Sequence, residues 1–265
     1  MTAQERTYNS VTGSLGALYR IAEPVAVVLN VGRGFRAPSA YDLFANGVHE
    51  GTVRFERGDS TLDVETSFNT DLALRVQTGD LSFEVGAFAN FINDFIYPDP
   101  TAEVDPESGL QIFQIIQGDA ELRGFEGAVE WHATPILHFR GTADYVYGQN
   151  TTTDLPLAFM PPFRATYGVR VEAPDHGILV APYLSFSGES NSKQTRVDPE
   201  DFAPDGYTLA HAGIGTGVEF GTQVIRLDLQ ARNLFDTTYR NFLSRYKTYA
   251  DDAGRNVIVR VGAEF

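Results

Sequence analysis

Apolar and polar residues alternate with a period of two along most of this chain, and the pattern predicts β-strands that each have one apolar face. In the last stretch Val257, Val259 and Val261 share one face. The row ends on the carboxyl-terminal residue, Phe265. A soluble protein rarely points an unbroken apolar row outward to its last residue, whereas a strand that faces lipid does so. The alternation therefore indicates strands that stand in a membrane.

About eleven strands follow from this pattern, and their connections alternate strictly between short and long. The short connections lie near residues 21–24, 78–80, 133–135, 174–177 and 221–222, and the long ones near 34–61, 98–111, 148–162, 190–205 and 235–253. Membrane barrels place tight turns at one end and long loops at the other, whereas a soluble all-β fold has no physical reason to do so. The sequence predicts an all-β fold, a transmembrane antiparallel up-and-down β-barrel.

Composition excludes several classes of function. The chain has no cysteine, so neither disulfides nor thiol chemistry are available to it. Its net charge of −15 leaves no basic patch for phosphate groups, and we therefore expect no nucleic-acid partner. No sufficiently long apolar run occurs, so we expect no transmembrane helix.

The two ends of the predicted barrel do not match. A complete bacterial barrel has an even number of strands, but here the first strand begins at the long-loop end and the last strand ends at the short-turn end. Residues 1–10 also lack a basic segment followed by an apolar one, so no signal peptide is visible. We therefore expect residues 1–265 to be the carboxy-terminal portion of a larger barrel.

Three segments carry a more specific signature. The second of them, Gly124-Phe125-Glu126, is predicted to open a strand. The others are Phe35-Arg36-Ala37-Pro38 with the residues that follow it to Asp71, and Asn233-Leu234-Phe235-Asp236 ahead of the final strand. Each segment is weak alone, but in this order and spacing they resemble the carboxy-terminal half of the β-barrel of TonB-dependent outer-membrane receptors, from about Thr7 to Phe265.

The resemblance implies a multi-pass barrel in the outer membrane of a Gram-negative bacterium. Such a receptor takes up a scarce solute with energy from the TonB complex, and its barrel has about 22 strands around a plugged lumen. The about eleven strands here would be the second half, with the plug domain, the first half and the TonB-binding segment outside residues 1–265. The implied partners are therefore the TonB complex, the plug domain, outer-membrane lipid and the barrel assembly machinery, which Phe265 would engage.

Within the family, the chain is most similar to the branch that takes up zinc or iron chelates, and a siderophore-type iron complex or another metal complex is the expected solute. His49 and Glu50 in the first long loop, together with Tyr97, are the candidate ligand-binding residues. Zinc specificity is not carried over, because the chain has only five histidines and no two of them have the sequence spacing of a zinc site. We expect neither a bound metal nor a cofactor.

Two alternatives remain open, and a third, an enzyme, is not expected. A passive porin-like channel would have the same strand pattern, and a TonB-dependent receptor could instead take up a non-metal solute such as cobalamin or a carbohydrate. An outer-membrane enzyme would need a nucleophile beside a positioned histidine. Ser185 and Ser187 lie on a predicted strand without the turn or the histidine that such chemistry needs, so we expect no enzyme.

Overall fold

The alternating pattern forms one continuous β-sheet. This computed structural model describes residues 6–197, 201–221 and 223–264, within which there are fourteen strands and one short helix. Phe265 lies outside the described residues, so its role stays a prediction. The elements are β1 (Gly13–Ala22), β2 (Val25–Arg36), α1 (Ala40–Phe44), β3 (Asn46–His49), β4 (Arg54–Arg57), β5 (Glu65–Gln77), β6 (Leu81–Val104), β7 (Gln111–Thr134), β8 (Leu137–Asn150), β9 (Leu155–Pro156), β10 (Arg164–Glu172), β11 (Leu179–Asn191), β12 (Tyr207–Phe220), β13 (Gln223–Arg232) and β14 (Asn256–Glu264).

Eleven of these strands form an up-and-down meander, which confirms the predicted architecture. Their order across the sheet is β1-β2-β5-β6-β7-β8-β10-β11-β12-β13-β14, and each pairs antiparallel with the next. The short strands β3, β4 and β9 lie off this path, at the long-loop end. Within the described residues β1 and β14 each have one paired neighbour, so the sheet is open there.

The outer face of the sheet carries the apolar residues, as the alternation predicts. Val259 on the last strand is 70% exposed, and Leu72 and Ile214 on other strands are each more than half exposed. No side chain in the described part of the chain is fully buried, so this sheet has no ordinary hydrophobic core. An apolar outer band needs lipid in place of water. Among the described residues no helix has the length and apolarity to cross a membrane.

Strands β6 and β7 are far longer than the sequence predicts. Each has 24 residues, which at about 3.3 Å per residue extends well beyond a lipid band of about 25 Å. The prediction of a long loop over 98–111 is therefore wrong, because both strands continue into that range. Pro98 and Pro100 are tolerated because β5 pairs with β6 only as far as Asn93, which leaves the rest of β6 as an edge.

The segment Gly124-Phe125-Glu126 does not open a strand, and that prediction is also wrong. Glu126 lies in the interior of β7, opposite Gly86 of β6 and Asp144 of β8. The extension of β7 towards the long-loop end moves the start of the strand to Gln111. The segment contributes Gly124, whose lack of a side chain leaves room for the ring of Phe88 to lie against the strand.

Candidate ligand-binding cleft at the long-loop end

The first long loop is fixed where β2 ends. Pro38 is buried and has no backbone N–H, so it cannot continue the ladder that ends at Arg36. Ser39 then caps α1: its hydroxyl accepts from the Asp42 amide at 3.1 Å, and the Asp42 carboxylate accepts from the Ser39 amide at 2.8 Å. This reciprocal capping box stabilises a helix of only five residues.

Arg36 links this helix to the barrel wall. Its guanidinium donates to Glu65 of β5 at 2.8 and 3.3 Å, and to Asp42 of α1 at 3.3 Å. The hydrogen bond with Glu65 is the main cause of a raised Arg36 pKa. Glu65 also accepts from the Ile96 amide at 3.1 Å. The signature arginine therefore organises the base of the loop.

A small hydrophobic cluster supports the same region from below. Leu43 of α1 packs with Leu62, Ile96 and Ile115, all nearly buried. The hairpin β3–β4 joins the sheet through a parallel pairing of β4 with β7, in which Phe55 lies opposite Ile112. The long-loop end thus contains packed apolar residues that the membrane-facing wall does not have.

A cleft of about 230 Å³ opens between these elements. It lies between α1, the hairpin, the long part of β6 and the loop that follows β13. The side chains that line it are polar or aromatic for the most part, and they include Tyr41, His49, Thr52, Arg54, Glu56, Tyr97 and Arg245. A cleft of this volume with aromatic and charged walls can hold a polar ligand that is bulkier than a single ion.

Two arginines give the cleft its electrostatic character. Arg54 donates to Glu56 at 2.6 Å and lies over the ring of Phe113 at 4.5 Å. Burial raises the pKa of Glu56, which is only 3% exposed. Burial, and then the charge of nearby Arg245, lower the pKa of Arg54. Glu56 offsets the charge of Arg54, so the charge of Arg245 is what favours an anionic ligand in the cleft.

The structure brings together two of the three candidate residues. His49 and Tyr97 line the cleft, whereas Glu50 is exposed and is not among the residues that line it. The His49 ring lies 3.0 Å from the Thr52 hydroxyl through Nδ1 and makes an edge contact with Tyr41 at 6.2 Å. Whether these residues bind a solute stays a prediction.

Sequence reasoning missed Tyr41, Arg54 and Arg245 as cleft residues. They are distant in sequence, and Arg245 reaches the cleft from the last long loop. No spacing rule connects positions that meet only when two loops fold over the same strand. Tyr41 alone had a local signal, because only Ser39 and Ala40 separate it from the Phe-Arg-Ala-Pro segment.

The last long loop is held by Asn233. Its backbone has a positive φ of 48°, and its buried side chain both donates to and accepts from the Thr237 backbone at 2.8 Å. Leu234 donates from its amide to Ala210 at 2.7 Å, while Phe235 is 76% exposed. Asp236 accepts from the Arg255 amide at 2.8 Å. The third signature segment is therefore a structural clamp on this loop.

No group of three or more histidine or carboxylate side chains that could hold a metal is found in the described part of the chain. Two histidines in this part of the chain nevertheless come together. Five residues separate His132 from His138, a spacing that some zinc sites use, and the β7–β8 hairpin places the two residues directly opposite each other. Cross-strand register brings them together, and sequence spacing alone does not reveal it.

Comparison with known proteins identifies the family. Residues 2–234 match the family model described as TonB dependent receptor-like, beta-barrel. The chain belongs to this family. Its members are transporters and not enzymes, and they lie in the outer membrane, which confirms the predictions of family, compartment and absence of enzymatic activity.

Solved structures of the family share the fold of this receptor barrel. The copper transporter OprC aligns with a TM-score of 0.78 and 18% identity, over 94% of this chain and 38% of its own. The ferric enterobactin receptor PfeA of Pseudomonas aeruginosa, with enterobactin, aligns at 0.70 and 20%, over 96% and 40%. The ferric preacinetobactin receptor BauA of Acinetobacter baumannii aligns at 0.71 and 17%, over 95% and 36%. The present chain thus spans well under half the length of these proteins.

Proposed function

We propose that this chain is the carboxy-terminal part of a receptor that takes up an anionic metal chelate across the outer membrane with energy from the TonB complex. The observation that carries this proposal is the cleft at the long-loop end, where Arg54 and Arg245 stand together beside Tyr41, His49 and Tyr97. The similar proteins named for copper, ferric enterobactin and ferric preacinetobactin support a metal complex as the class of solute.

The chemistry of the cleft favours a chelate over a bare metal ion. Glu56 is already paired with Arg54, and Asp42 accepts from Arg36, so neither carboxylate is free to bind a cation. The guanidinium of Arg245 can bond the carboxylate or catecholate oxygens of a chelate, and the tyrosine rings can stack on its flat groups. A neutral carbohydrate would gain little from the charge of Arg245.

Chelate binding by the protein, purified in detergent from outer membranes, tests this proposal. The probes are ferric complexes of a catecholate, a citrate-type carboxylate and a hydroxamate, with cobalamin as a non-metal-chelate competitor class. We expect the two anionic complexes to bind more tightly than the neutral hydroxamate. Arg245→Gln should weaken them by about tenfold, which corresponds to the loss of one charge-assisted hydrogen bond.

Arg255→Gln is the matched control, because Arg255 lies on the same loop, is about half exposed and is 3.8 Å from Asp236. It should leave affinity unchanged. Equal effects of both substitutions would mean that only the charge of the whole loop matters and would refute the cleft. Uptake that continues in cells without TonB would instead favour a passive channel and refute the transport proposal.

A further inference from the structure

A pair of histidines faces the lumen at the short-turn end of the barrel, far from the cleft. His132 and His138 are cross-strand partners in the β7–β8 hairpin, and their Nδ1 atoms are 2.6 Å apart. The neighbouring pair in the register, Trp131 with Phe139, stacks on the opposite face, which carries the lipid-facing residues. The histidines therefore lie on the inner face, and His132 is about half exposed.

Glu130 contacts His132 on the side away from His138. Its carboxylate lies 3.4 Å from Nε2 of His132 and is on the same face of β7. A carboxylate beside one ring nitrogen favours the proton on that nitrogen, which leaves the lone pair of the other nitrogen free. With the proton on Nε2 of His132, the lone pair is on its Nδ1, the atom that is 2.6 Å from Nδ1 of His138.

Two imidazole nitrogens this close need a positive centre between them. Either His138 donates its Nδ1 proton to His132, or a cation that both rings coordinate takes the place of that proton. A metal with bonds of about 2.0–2.1 Å to nitrogen holds two ligands about 2.9–3.3 Å apart. The observed separation of 2.6 Å reaches that range if each ring turns slightly, which exposed side chains on a strand can do.

We infer that His132 and His138 form a bidentate site for a borderline divalent metal, with Glu130 as the positioning residue. Neutral imidazole nitrogens suit Cu²⁺, Ni²⁺ and Zn²⁺, whereas Ca²⁺ and Mg²⁺ prefer oxygen ligands. Cu²⁺ should bind most tightly among divalent ions at a site of this kind. With two protein ligands, the remaining coordination positions are open to water or to a small ligand.

The charges around the pair are compatible with a bound cation. Arg170 lies across from His138 on β10, but its guanidinium donates to Glu172 at 2.9 Å and lies over the ring of Tyr183 at 3.7 Å. Arg140 is opposite Glu130 in the register. The two carboxylates therefore offset the two arginines on this part of the wall.

Binding of the metals alone to the detergent-purified protein tests the inference. Titration with Cu²⁺ should show one site per chain, and the electron paramagnetic resonance spectrum should show coupling to two imidazole nitrogens. His132→Gln and His138→Gln should each weaken Cu²⁺ binding by at least about 100-fold, since a direct ligand contributes more than the 10–100-fold of an outer partner. Glu130→Gln should weaken it by about tenfold and keep both nitrogen couplings.

His176→Gln is the matched control, because His176 is an exposed histidine in a short turn at the same end of the barrel. It should leave the Cu²⁺ site intact. Cu²⁺ binding that survives the double substitution at 132 and 138, or coupling to a single nitrogen, would overturn the inference. Heat-modifiable migration on gels shows that each variant is folded. Because the probes are bare metals and the site is at the opposite end from the cleft, failure here leaves the chelate proposal untouched.

Discussion

Removal of the Arg36 side chain should loosen the first long loop without unfolding the barrel. Arg36→Ala deletes the two hydrogen bonds to Glu65, the one to Asp42 and a longer one, of 3.4 Å, to the Ile96 carbonyl oxygen. Glu65 is only 14% exposed and keeps one donor, the Ile96 amide. Hydrogen bonds to charged groups contribute about 1.5–3 kcal/mol each when buried. Because the guanidinium is itself 45% exposed, solvent screening lowers the combined loss to about 2 kcal/mol.

A local loss of stability of about 2 kcal/mol raises the equilibrium constant for opening of the loop about 30-fold. Hydrogen exchange measured by mass spectrometry reads this directly, because the amides of Leu43, Ala45 and Gly58 bond only within the loop, to Ser39, Tyr41 and Ala45 respectively. Their exchange should accelerate by that factor while amides in the middle of the wall stay protected.

Two variants make the test discriminating. Arg75→Ala removes an exposed pair with Glu84 on the barrel wall, where both side chains are roughly half exposed, and it should cost less than about 1 kcal/mol. Arg36→Lys keeps the charge but cannot form the forked contact, so its exchange should lie between those of wild type and Arg36→Ala. Unchanged exchange of the three loop amides in Arg36→Ala would refute the role of Arg36 as the link between helix and wall.

Two further substitutions probe the other signature segments. Asn233→Ala should lower the local stability of the last long loop by about 2–3 kcal/mol and make the loop sensitive to protease, because it removes both hydrogen bonds to Thr237 at a position with positive φ. Asn233→Gly should cost about 1 kcal/mol less, because glycine adopts a positive φ without strain. A larger cost for Asn233→Gly would contradict the backbone argument. Gly124→Ala should lower the yield of folded barrel on unheated gels, because an added Cβ would overlap the carbonyl oxygen of Tyr145. Gly127→Ala, on the same strand, meets only ordinary contacts and should fold normally. Equal yields of the two variants would contradict the steric role of Gly124.

Much of the barrel could be predicted from alternation alone. Strands such as β5 and β14 have one face towards lipid, so the polarity of each residue indicates which face of the sheet its side chain is on. The parts of β6 and β7 nearest the long-loop end could not be predicted in this way, because Pro98 and Pro100 are typical of loops. They fit a strand only because β5 no longer pairs with β6 there. Local sequence does not reveal where a neighbouring strand ends.

The cleft was predictable only in part, for a related reason. The imidazole of His49 and the phenol ring of Tyr97 indicate a binding role from their chemistry alone. Arg245 reaches them from a loop about 150 residues beyond Tyr97, and a contact of that kind depends on how two loops pack. The pairing of His132 with His138 depends on the register of one hairpin, which a turn of uncertain length leaves undetermined.

The parallel pairing of β4 with β7 also imposes an order of assembly. Every step of the meander joins a strand to the next one along the path, so the wall can grow by local additions. β4 cannot pair with β7 until the roughly 50 residues between the two strands have folded and β7 itself is in place. The side of the cleft that the β3–β4 hairpin forms is therefore completed only after β7 has joined the wall.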